Sequence, residues 1–442
     1  MSERSKIYIR KMKTKSAVVV AVAICGIFTA NAARKPNVII ILTDDQGTLD
    51  LNCYGSKDLQ TPHMDAIAEQ GVRFTQFYAA SAICSPSRAA LLTGKTPGTA
   101  GVPGNVGLSG KGLPSSEVTI AEEFKKGGYA TALIGKWHLG HTQGSDPNGQ
   151  GFGYFFGHRV GCIDNYSHFF YWSGPNKHDL WRNDKEVFYD GEFFPDLMVK
   201  EAGQFMEKNK AKPFFIYFAM NSPHYPYQGS PKWLKHYDDN KVPYPRNLYA
   251  AFLSTVDERI GALRKKIKDL DLEKDTIIVF QSDHGASTEG RAHGGGGNAG
   301  PHKGAKGSLY EGGIRVPSII SWPGHLPQNT VRKQLSTACD WYPTLLELCD
   351  LPPAEHKLDG KSLLPVIRSA EAPTAHSIFH WKYSKMTVVR EGKWKLVIRN
   401  KKPELYDLPD DLGETKSLVK EHPEIVSRLT KQSQVYWQRA GK

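Results

Sequence analysis

Residues 35–47 read KPNVIIILTDDQG, a run of mostly β-branched apolar side chains that ends in two aspartates, a glutamine and a glycine. An unbroken apolar run of this length is typical of a strand that is buried on both faces of a sheet. Three later segments have the same form, namely 129–140 (YATALIGKWHLG), 212–227 (KPFFIYFAMNSPHYPY) and 275–285 (DTIIVFQSDHG). The repetition predicts four core strands.

Helix-like segments, such as residues 61–71 and 249–270, lie between these runs and carry apolar residues at helical spacing. Alternating strands and helices predict an α/β fold with a mainly parallel central sheet flanked by helices. In such sheets a ligand binds beyond the carboxyl ends of the strands. All four runs end there in ionisable side chains, which are Asp44, Asp45, Lys136, His138, His224, Asp283 and His284. The sequence therefore predicts that these side chains share one site.

The pattern changes after about residue 350. Residues 387–411 alternate in the manner of a short antiparallel meander, and residues 422–440 have helical spacing. We therefore expect a catalytic domain at 33–350 and a smaller C-terminal α+β subdomain at 351–442 that carries a short antiparallel sheet.

The N-terminal segment has the form of a secretory signal peptide. Residues 1–15 are basic, residues 16–29 are apolar but too short for a comfortable membrane span, and Ala30-Asn31-Ala32 resembles a cleavage site. We expect residues 1–32 to be removed near Ala32 or Ala33, which gives a secreted or periplasmic protein with no stable membrane span; a retained anchor is the alternative. Removal takes six Lys/Arg and one Glu, so the formal charge falls from +12 to 12 − 5 = +7 and still favours an anionic partner.

Adjacent carboxylates at strand ends suggest a metal site. Asp44, Asp45 and Asp283 would repel one another unless a cation neutralises them, and oxygen ligands suit Ca²⁺ or Mg²⁺. A turn or a helix N-cap is the alternative for Asp44-Asp45 alone. His284 fits Ca²⁺ less well, because imidazole is not a preferred ligand of this ion.

Cys84 stands at the start of residues 84–94, CSPSRAALLTG. Removal of the signal peptide leaves five cysteines, an odd number, so at least one is unpaired in an oxidising compartment, and Cys84 is the natural candidate. The segment also has the composition of a helix start capped by Ser85 or Ser87. A thiolate nucleophile is conceivable there, but no Cys/His/Asn arrangement accompanies it.

The cationic residues Lys136, His138, His224 and Lys306 would together suit a tetrahedral anion, phosphoryl or sulfuryl, beside a metal. Lys306 belongs to the glycine-rich segment 286–307, most of which is expected to be a surface loop. Other functions are excluded. A phosphate-binding P-loop is absent because Asn105 stands where its first glycine should be, no nucleic-acid module is recognisable, and no C-x-x-C pair offers zinc.

These residues resemble the type I, formylglycine-dependent sulfatase family, arylsulfatase-like members of the alkaline phosphatase superfamily. CSPSRAALLTG resembles the family's first signature and GYATALIGKWHLG its second. Further matches in the family's order are VIIILTDDQG, SPHYPY, SDHG, KGSLYEGGIRVP and ELYDLPDDLGET, which together cover nearly the whole mature chain. The resemblance implies an alkaline phosphatase-like fold and hydrolysis of sulfate esters.

The resemblance also implies roles for individual residues. A maturation enzyme would oxidise Cys84 to Cα-formylglycine, whose hydrated aldehyde is the nucleophile. One Ca²⁺ would be bound by Asp44, Asp45, Asp283, His284 and the modified Cys84. Arg88 and His138 would hold the hydrate, Lys136 and Lys306 would bind sulfate oxygens, and His224 would protonate the leaving oxygen or bind sulfate. Ser167 is a possible counterpart of a serine that some members carry.

The substrate expectation depends on residues 152–182, which are rich in aromatic and cationic side chains. They suit stacking on sugar rings, although ordinary packing beneath a lid accounts for most of the aromatics. We expect a sulfated carbohydrate. The alternatives are a phosphodiesterase or phosphonate monoester hydrolase of the same superfamily, and a catalytically silent carbohydrate-binding relative.

Overall fold

The structure is a computed structural model that describes residues 34–108, 110–172 and 176–440, the side chains of 439 and 440 excepted. Lys35–Lys442 form one compact unit. The predicted signal peptide at residues 1–32 and its cleavage site lie outside the described residues. Within the described part, no helix combines the length and apolar character that crossing a membrane requires.

A ten-stranded mixed sheet forms the centre of the unit. Its spatial order, with strands numbered along the chain, is β13 (Thr330–Arg332), β2 (Gly71–Phe74), β12 (Ser318–Ser321), β11 (Thr276–Ser282), β1 (Asn37–Thr43), β10 (Phe214–Ala219), β4 (Ala130–Lys136), β5 (Tyr154–His158), β8 (Trp181–Arg182) and β9 (Lys185–Glu186). The five strands from β11 to β5 are parallel. The mainly parallel sheet predicted from the sequence is confirmed, and the four predicted core strands are adjacent in it.

Strand β1 shows why the apolar run decides the fold. All seven of its residues are buried, and its side chains alternate between two cores. Val38, Ile40 and Leu42 face one core, whereas Ile39 and Ile41 face the other. A strand with a core on each side has no face for polar residues, which is the reason for the unbroken β-branched sequence.

Ten α-helices are present in the described part, and most cover one face or the other of the large sheet. They are α1 (Pro62–Glu69), α2 (Cys84–Thr93), α3 (Ile120–Lys126), α4 (Phe194–Asn209), α5 (Pro231–Asp239), α6 (Arg246–Asp269), α7 (Glu311–Ile314), α8 (Trp341–Leu348), α9 (Leu364–Arg368) and α10 (Pro423–Ala440). α1, α4 and α6 contribute to the core that contains Ile39. α2, α3, α8 and α9 contribute to the opposite core.

The C-terminal part forms a separate antiparallel sheet. It consists of β15 (Ile378–Tyr383), β16 (Met386–Glu391), β17 (Trp394–Arg399) and β18 (Lys402–Asp407), in that order. One of its faces packs on the larger part through Trp381 and Val388, and the other packs on α10 through Leu396 and Leu429. The predicted meander and final helix are confirmed. Two short pairs complete the strands, β3 (Phe77–Tyr78) with β14 (Ser336–Thr337) and β6 (Phe169–Phe170) with β7 (Lys177–His178).

A buried charge network links the C-terminal sheet to α7. Lys395 of β17 lies 2.8 Å from Glu311 and 2.9 Å from Glu414, and all three side chains are buried. Lys395→Met would leave two buried carboxylates without this cation, so we expect a loss of about 3–5 kcal/mol in the free energy of unfolding. Lys393→Met, which removes a half-exposed lysine from its pair with Asp407, is the control and should cost about 1 kcal/mol or less. Denaturant unfolding of both variants measures the difference; equal losses would contradict the prediction.

Candidate active site

The carboxyl ends of the central strands meet at one point of the sheet edge. Thr43, the last residue of β1, is in register with Ser282, the last residue of β11. On the other side of β1, β10 and β4 end within one residue of each other, because Ala219, the last residue of β10, pairs with Gly135, the residue before the end of β4. Parallel register therefore brings together the ionisable residues that follow four strands. All seven of those predicted in the sequence analysis are buried, together with Cys84 and Arg88.

The three aspartates lie close to one another. The backbone N–H of Asp45 donates to Asp283 Oδ1 at 3.3 Å, and Asp45 adopts a left-handed φ of 64°. Burial raises the pKa of Asp45 to about 6 in spite of the nearby Lys306. For Asp44, burial acts in the same direction, but the charges of Lys136 and Arg88 hold the pKa well below its usual range.

His284 directs a ring nitrogen at these carboxylates. Its Nδ1 lies 3.0 Å from the carbonyl oxygen of Gly285, which can only accept, so the Nδ1–H donates to it. In the neutral ring, Nε2 is then a lone pair, and it lies 3.4 Å from Asp45 Oδ1, 3.5 Å from Asp283 Oδ1 and 3.2 Å from Cys84 Sγ. The carboxylate of Asp283, with the sulfur of Cys84 beside it, outweighs the effect of burial and raises the pKa of His284 to about 10 when no metal is bound.

This arrangement fits a metal ion. Ligand atoms of Asp44, Asp45, Cys84 and His284 all lie within 4.8 Å of one another, and all four residues are buried. Asp45 Oδ1 is buried without a hydrogen-bond partner, which is costly for a carboxylate oxygen unless an ion binds it. Two carboxylates of this group, with Asp283 beside them, supply the oxygen ligands that Ca²⁺ prefers.

Three cationic side chains surround the carboxylates. Lys136 Nζ lies 2.5 Å from Asp44 Oδ2, and Lys306 Nζ lies 3.0 Å from Asp45 Oδ2. Arg88 donates to Asp283 Oδ2 at 2.9 Å and to the carbonyl of Lys136 at 3.2 Å. The repulsion among the three carboxylates, which was inferred from the sequence, is therefore reduced by three cationic side chains of the protein itself.

Cys84 is the first residue of α2, and the predicted serine caps are wrong. Ile83 occupies the cap position and no side chain caps the helix from there. Ser85 donates instead to the carbonyl of His138 at 2.7 Å, and Ser87 donates to that of Ser81 at 2.8 Å. The backbone N–H of Ser85 is satisfied by Asn105 Oδ1 at 3.1 Å, from a loop that local sequence could not place there.

All five described cysteines are free thiols. Cys84 is therefore unpaired, as expected, but it is not distinguished from Cys53, Cys162, Cys339 and Cys349 by this property. Its distinction is its environment beside His284 and Asp44, whose Oδ1 lies 3.7 Å from Sγ.

A cavity of about 510 Å³ opens above this cluster. Four of the predicted site residues line it, namely Cys84, His138, His224 and Lys306. Arg88 and Lys136 are fully buried and are not part of its lining. They lie behind the cavity wall, where each forms an ion pair with Asp44.

The two lining histidines have defined environments. His224 Nδ1 donates to the carbonyl of Tyr225 at 2.7 Å, so Nε2 faces Asp45 Oδ2, which is 3.7 Å away. Burial and the charge of Lys306 hold the pKa of His224 well below its ordinary value. His138 has a left-handed φ of 58°, and a Cβ on Gly161 would come within 2.7 Å of its ring, so a larger residue at 161 would displace the imidazole.

Several lining residues were missed in the sequence. Glu289 lies 3.3 Å from Lys306 and accepts from the hydroxyl of Tyr225 at 3.3 Å, but it belongs to the glycine-rich segment, whose other residues lie mostly at the surface. Tyr383 comes from β15 of the C-terminal sheet, about 300 residues from Cys84 in sequence. In the sequence, Asn105 serves only to exclude a phosphate-binding P-loop, because it stands in place of that motif's first glycine. No local signal marks any of the three.

The aromatic segment 152–182 divides between core and cavity. Phe156 and Phe152 are buried in the two cores, as packing alone would explain. Phe170 and Trp172 line the cavity. Ser167 lies in an exposed turn, where its hydroxyl donates to Asp164 at 3.0 Å, and it is not among the lining residues.

Comparison with known proteins places this site in a family. The profile described as Sulfatase matches residues 36–351, and that of the N-sulphoglucosamine sulphohydrolase C-terminal region matches residues 304–437. N-acetylgalactosamine-6-sulfatase of Sus scrofa is 32% identical over 86% of this chain and 75% of its own length. Arylsulfatase A of Homo sapiens is 32% identical over 88% of this chain and 84% of its own length.

Solved structures agree. The crystal structure of Ps i-CgsB superimposes with a TM-score of 0.84 at 29% identity and covers 92% of this chain and 94% of its own. The same protein has been solved in complex with k-i-k-neocarrahexaose. The chain belongs to the sulfatase family and is a hydrolase of sulfate esters.

Proposed function

We propose that the protein removes sulfate from a sulfated carbohydrate, with Cα-formylglycine derived from Cys84 as nucleophile and one Ca²⁺ as cofactor. The observation that carries this proposal is the position of Cys84 Sγ. It lies at the floor of an open cavity, within 3.7 Å of both Asp44 and His284, in a buried group of metal-type ligands. Asp44, Asp45, Asp283 and His284 would hold the ion, together with the modified residue 84.

The hydrated aldehyde would supply a hydroxyl nucleophile for sulfur, and the ion would supply positive charge beside it. The protein's own residues do the positioning. Arg88, the fifth residue of α2, donates hydrogen bonds to Asp283 and to the last residue of β4, which holds the N-terminal half of α2 against the strand ends. His138 lines the cavity beside Cys84 and is proposed to hydrogen-bond the hydrate together with Arg88.

Sulfate binding is assigned to Lys306, Lys136 and His224. Lys306 lines the cavity and uses part of its ammonium on Asp45 and Glu289, which orients it. Lys136 lies behind the wall and would act through its charge. His224 Nε2 carries no proton in the free, neutral ring. A bound sulfate anion favours protonation there, because an adjacent negative charge stabilises imidazolium. The leaving oxygen could then take that proton.

Charge balance supports an anionic substrate. Arg88, Lys136 and Lys306 balance the three carboxylates, so a divalent cation bound there with neutral His284 as a ligand would leave an excess of positive charge at the cavity floor. That excess is suited to a sulfate group and to the charge that develops during its transfer.

The carbohydrate assignment is supported by Trp172. Its side chain is 38% exposed at the cavity, and the guanidinium of Arg291 lies 4.6 Å from its ring centroid. A partly exposed indole is suited to stacking on a sugar ring. The names of the relatives point the same way, since one is an N-acetylgalactosamine sulfatase and Ps i-CgsB binds an oligosaccharide.

The proposal includes export and maturation. Formylglycine requires a maturation enzyme that acts on the CSPSR segment, and the predicted signal peptide would deliver the protein to the periplasm or outside the cell. The C-terminal subdomain at 351–442 is proposed to belong to the same functional unit as the domain at 33–350, because its Tyr383 lines the cavity.

The test is mass analysis of the peptide that carries Cys84, combined with rates on matched esters. From a host with a competent maturation system, we expect an aldehyde mass at residue 84 and faster hydrolysis of an aryl sulfate than of the corresponding phosphate mono- and diesters. An unmodified thiol in an active preparation would remove the nucleophile. A preference for phosphate diesters would instead favour the phosphodiesterase alternative, and carbohydrate binding without turnover would favour the silent relative.

A further inference from the structure

A second group of metal-type ligands lies outside the active site. His168, His178 and Asp190 each place a ligand atom within 4.8 Å of the others. All three belong to the connection between β5 and α4. His168 directly precedes β6, and His178 ends β7. The active-site chemistry proposed above uses none of them.

Hydrogen bonds fix the orientation of the His178 ring. Its Nδ1 lies 2.9 Å from Glu186 Oε1, and a carboxylate can only accept, so Nδ1 carries the proton. In the neutral ring, Nε2 is therefore a lone pair. This atom is buried and has no hydrogen-bond partner.

The His168 ring also uses one nitrogen as a donor, but here the donor is Nε2 and not Nδ1. Its Nε2 lies 3.1 Å from the carbonyl oxygen of Glu192 and donates to it, which leaves the lone pair on Nδ1. Nδ1 is also buried without a partner. His168 is fully buried and has a left-handed φ of 61°, an uncommon backbone conformation for a residue other than glycine.

Two buried lone pairs without donors are costly in a folded protein. One nitrogen of each ring and an oxygen of Asp190 lie within 4.8 Å of one another, which is the arrangement of a metal site. In such sites the second nitrogen of each ligating histidine typically donates to a carboxylate or a backbone carbonyl, as Glu186 and Glu192 provide here. Two imidazoles and one carboxylate match Zn²⁺ and not Ca²⁺, which prefers oxygen.

We propose that His168 Nδ1, His178 Nε2 and the Asp190 carboxylate bind one transition-metal ion, with Zn²⁺ as the best match and water as the remaining ligand. Asp190 is exposed, so its side chain is free to close on the ion. The ion would cross-link three residues of the segment between β5 and α4. The same segment contains Phe170 and Trp172, which line the cavity. Its role would be to hold the aromatic wall of the cavity in place.

The experiment uses the full chain with Cys84→Ala, saturated with Ca²⁺, so that the active-site thiol cannot bind the probe. Titration with Co²⁺ should give one bound equivalent with the visible absorption of four-coordinate cobalt, and Zn²⁺ should displace it. His178→Phe keeps the ring stacking on Phe188 but has no nitrogen, and it should weaken Zn²⁺ binding at least about a hundredfold. Asp190→Asn alters an exposed residue and should weaken it at least about tenfold.

Asp184→Asn is the matched control, because it removes another exposed carboxylate of the same connection that is not in the group. Its Zn²⁺ affinity should equal that of the parent. Absence of a bound equivalent in the parent would overturn the proposal, and so would Zn²⁺ binding that neither His178→Phe nor Asp190→Asn weakens. Metal binding is measured directly, so either result leaves the sulfatase proposal untouched.

Discussion

Cys84→Ala is expected to lower kcat/KM for an aryl sulfate at least about ten-thousand-fold, because the nucleophile would be lost and no neighbouring side chain can replace it. The fold should persist. The thiol is small, and within the described residues its polar contacts are with Asp44 and His284, so the free energy of unfolding should change by about 1 kcal/mol or less. Steady-state kinetics and thermal unfolding of the purified variant measure the two effects.

The controls separate chemistry from packing. Cys339→Ala removes another fully buried free thiol that does not line the cavity, and it should leave kcat/KM within about threefold of the parent. Cys84→Ser should be as inactive as Cys84→Ala in a host whose maturation system converts only cysteine. Turnover near that of the parent in Cys84→Ala would eliminate the proposed nucleophile.

Asp45→Asn is expected to abolish the rise in Tm that Ca²⁺ produces and to lower kcat/KM at least about a thousandfold. In chelator, the same variant should be no less stable than the parent. Burial raises the pKa of Asp45 to about 6, above its ordinary value. This group therefore stabilises the metal-free fold only when protonated, and the contribution is lost as the pH rises through about 6. At neutral pH, asparagine removes a charge that burial disfavours.

Asp50→Asn is the matched control for Asp45→Asn. Asp50 is a second buried aspartate of the same loop, but it accepts from Arg246 at 2.6 Å and from the hydroxyl of Tyr249 at 2.8 Å, and it is not in the metal-type group. Loss of the Asp50 carboxylate should lower the Tm both with and without Ca²⁺, but the rise in Tm that Ca²⁺ produces should be preserved. Calorimetry with Ca²⁺ and with chelator distinguishes the two. An intact calcium response in Asp45→Asn would contradict the assignment of the ion.

Fold prediction succeeded where the hydrophobic pattern was long. The runs that contain β1, β4, β10 and β11 are each buried on both sides, and their apolar character is visible without any partner. It failed for short strands. β12 and β2 each have four residues; β12 pairs antiparallel with β11 and β2, whereas β2 pairs parallel with β13. β15 lies before the predicted meander at 387–411. Such strands are defined by their neighbours in the sheet, which local sequence does not specify.

The candidate site shows the same division. Residues directly after long strands were found because the end of a parallel strand is a defined place. Glu289, Asn105 and Tyr383 were missed because loops and a second sheet bring them to the cavity. The helix caps were wrong for the same reason, since Asn105 reaches the first turn of α2 from another loop.

The parallel core, the four strand ends and the residues placed there are all predictable from the sequence, because a strand buried on two faces is an unbroken run of apolar residues. The pairing of the charges is visible only in the folded protein. The tertiary structure placed Lys136 and Lys306 on different aspartates, set Arg88 behind the cavity wall and brought His168 and His178 close to Asp190. These pairings depend on distances of a few ångströms between residues that are not adjacent in the sequence, and electrostatic and hydrogen-bond energies change steeply over such distances.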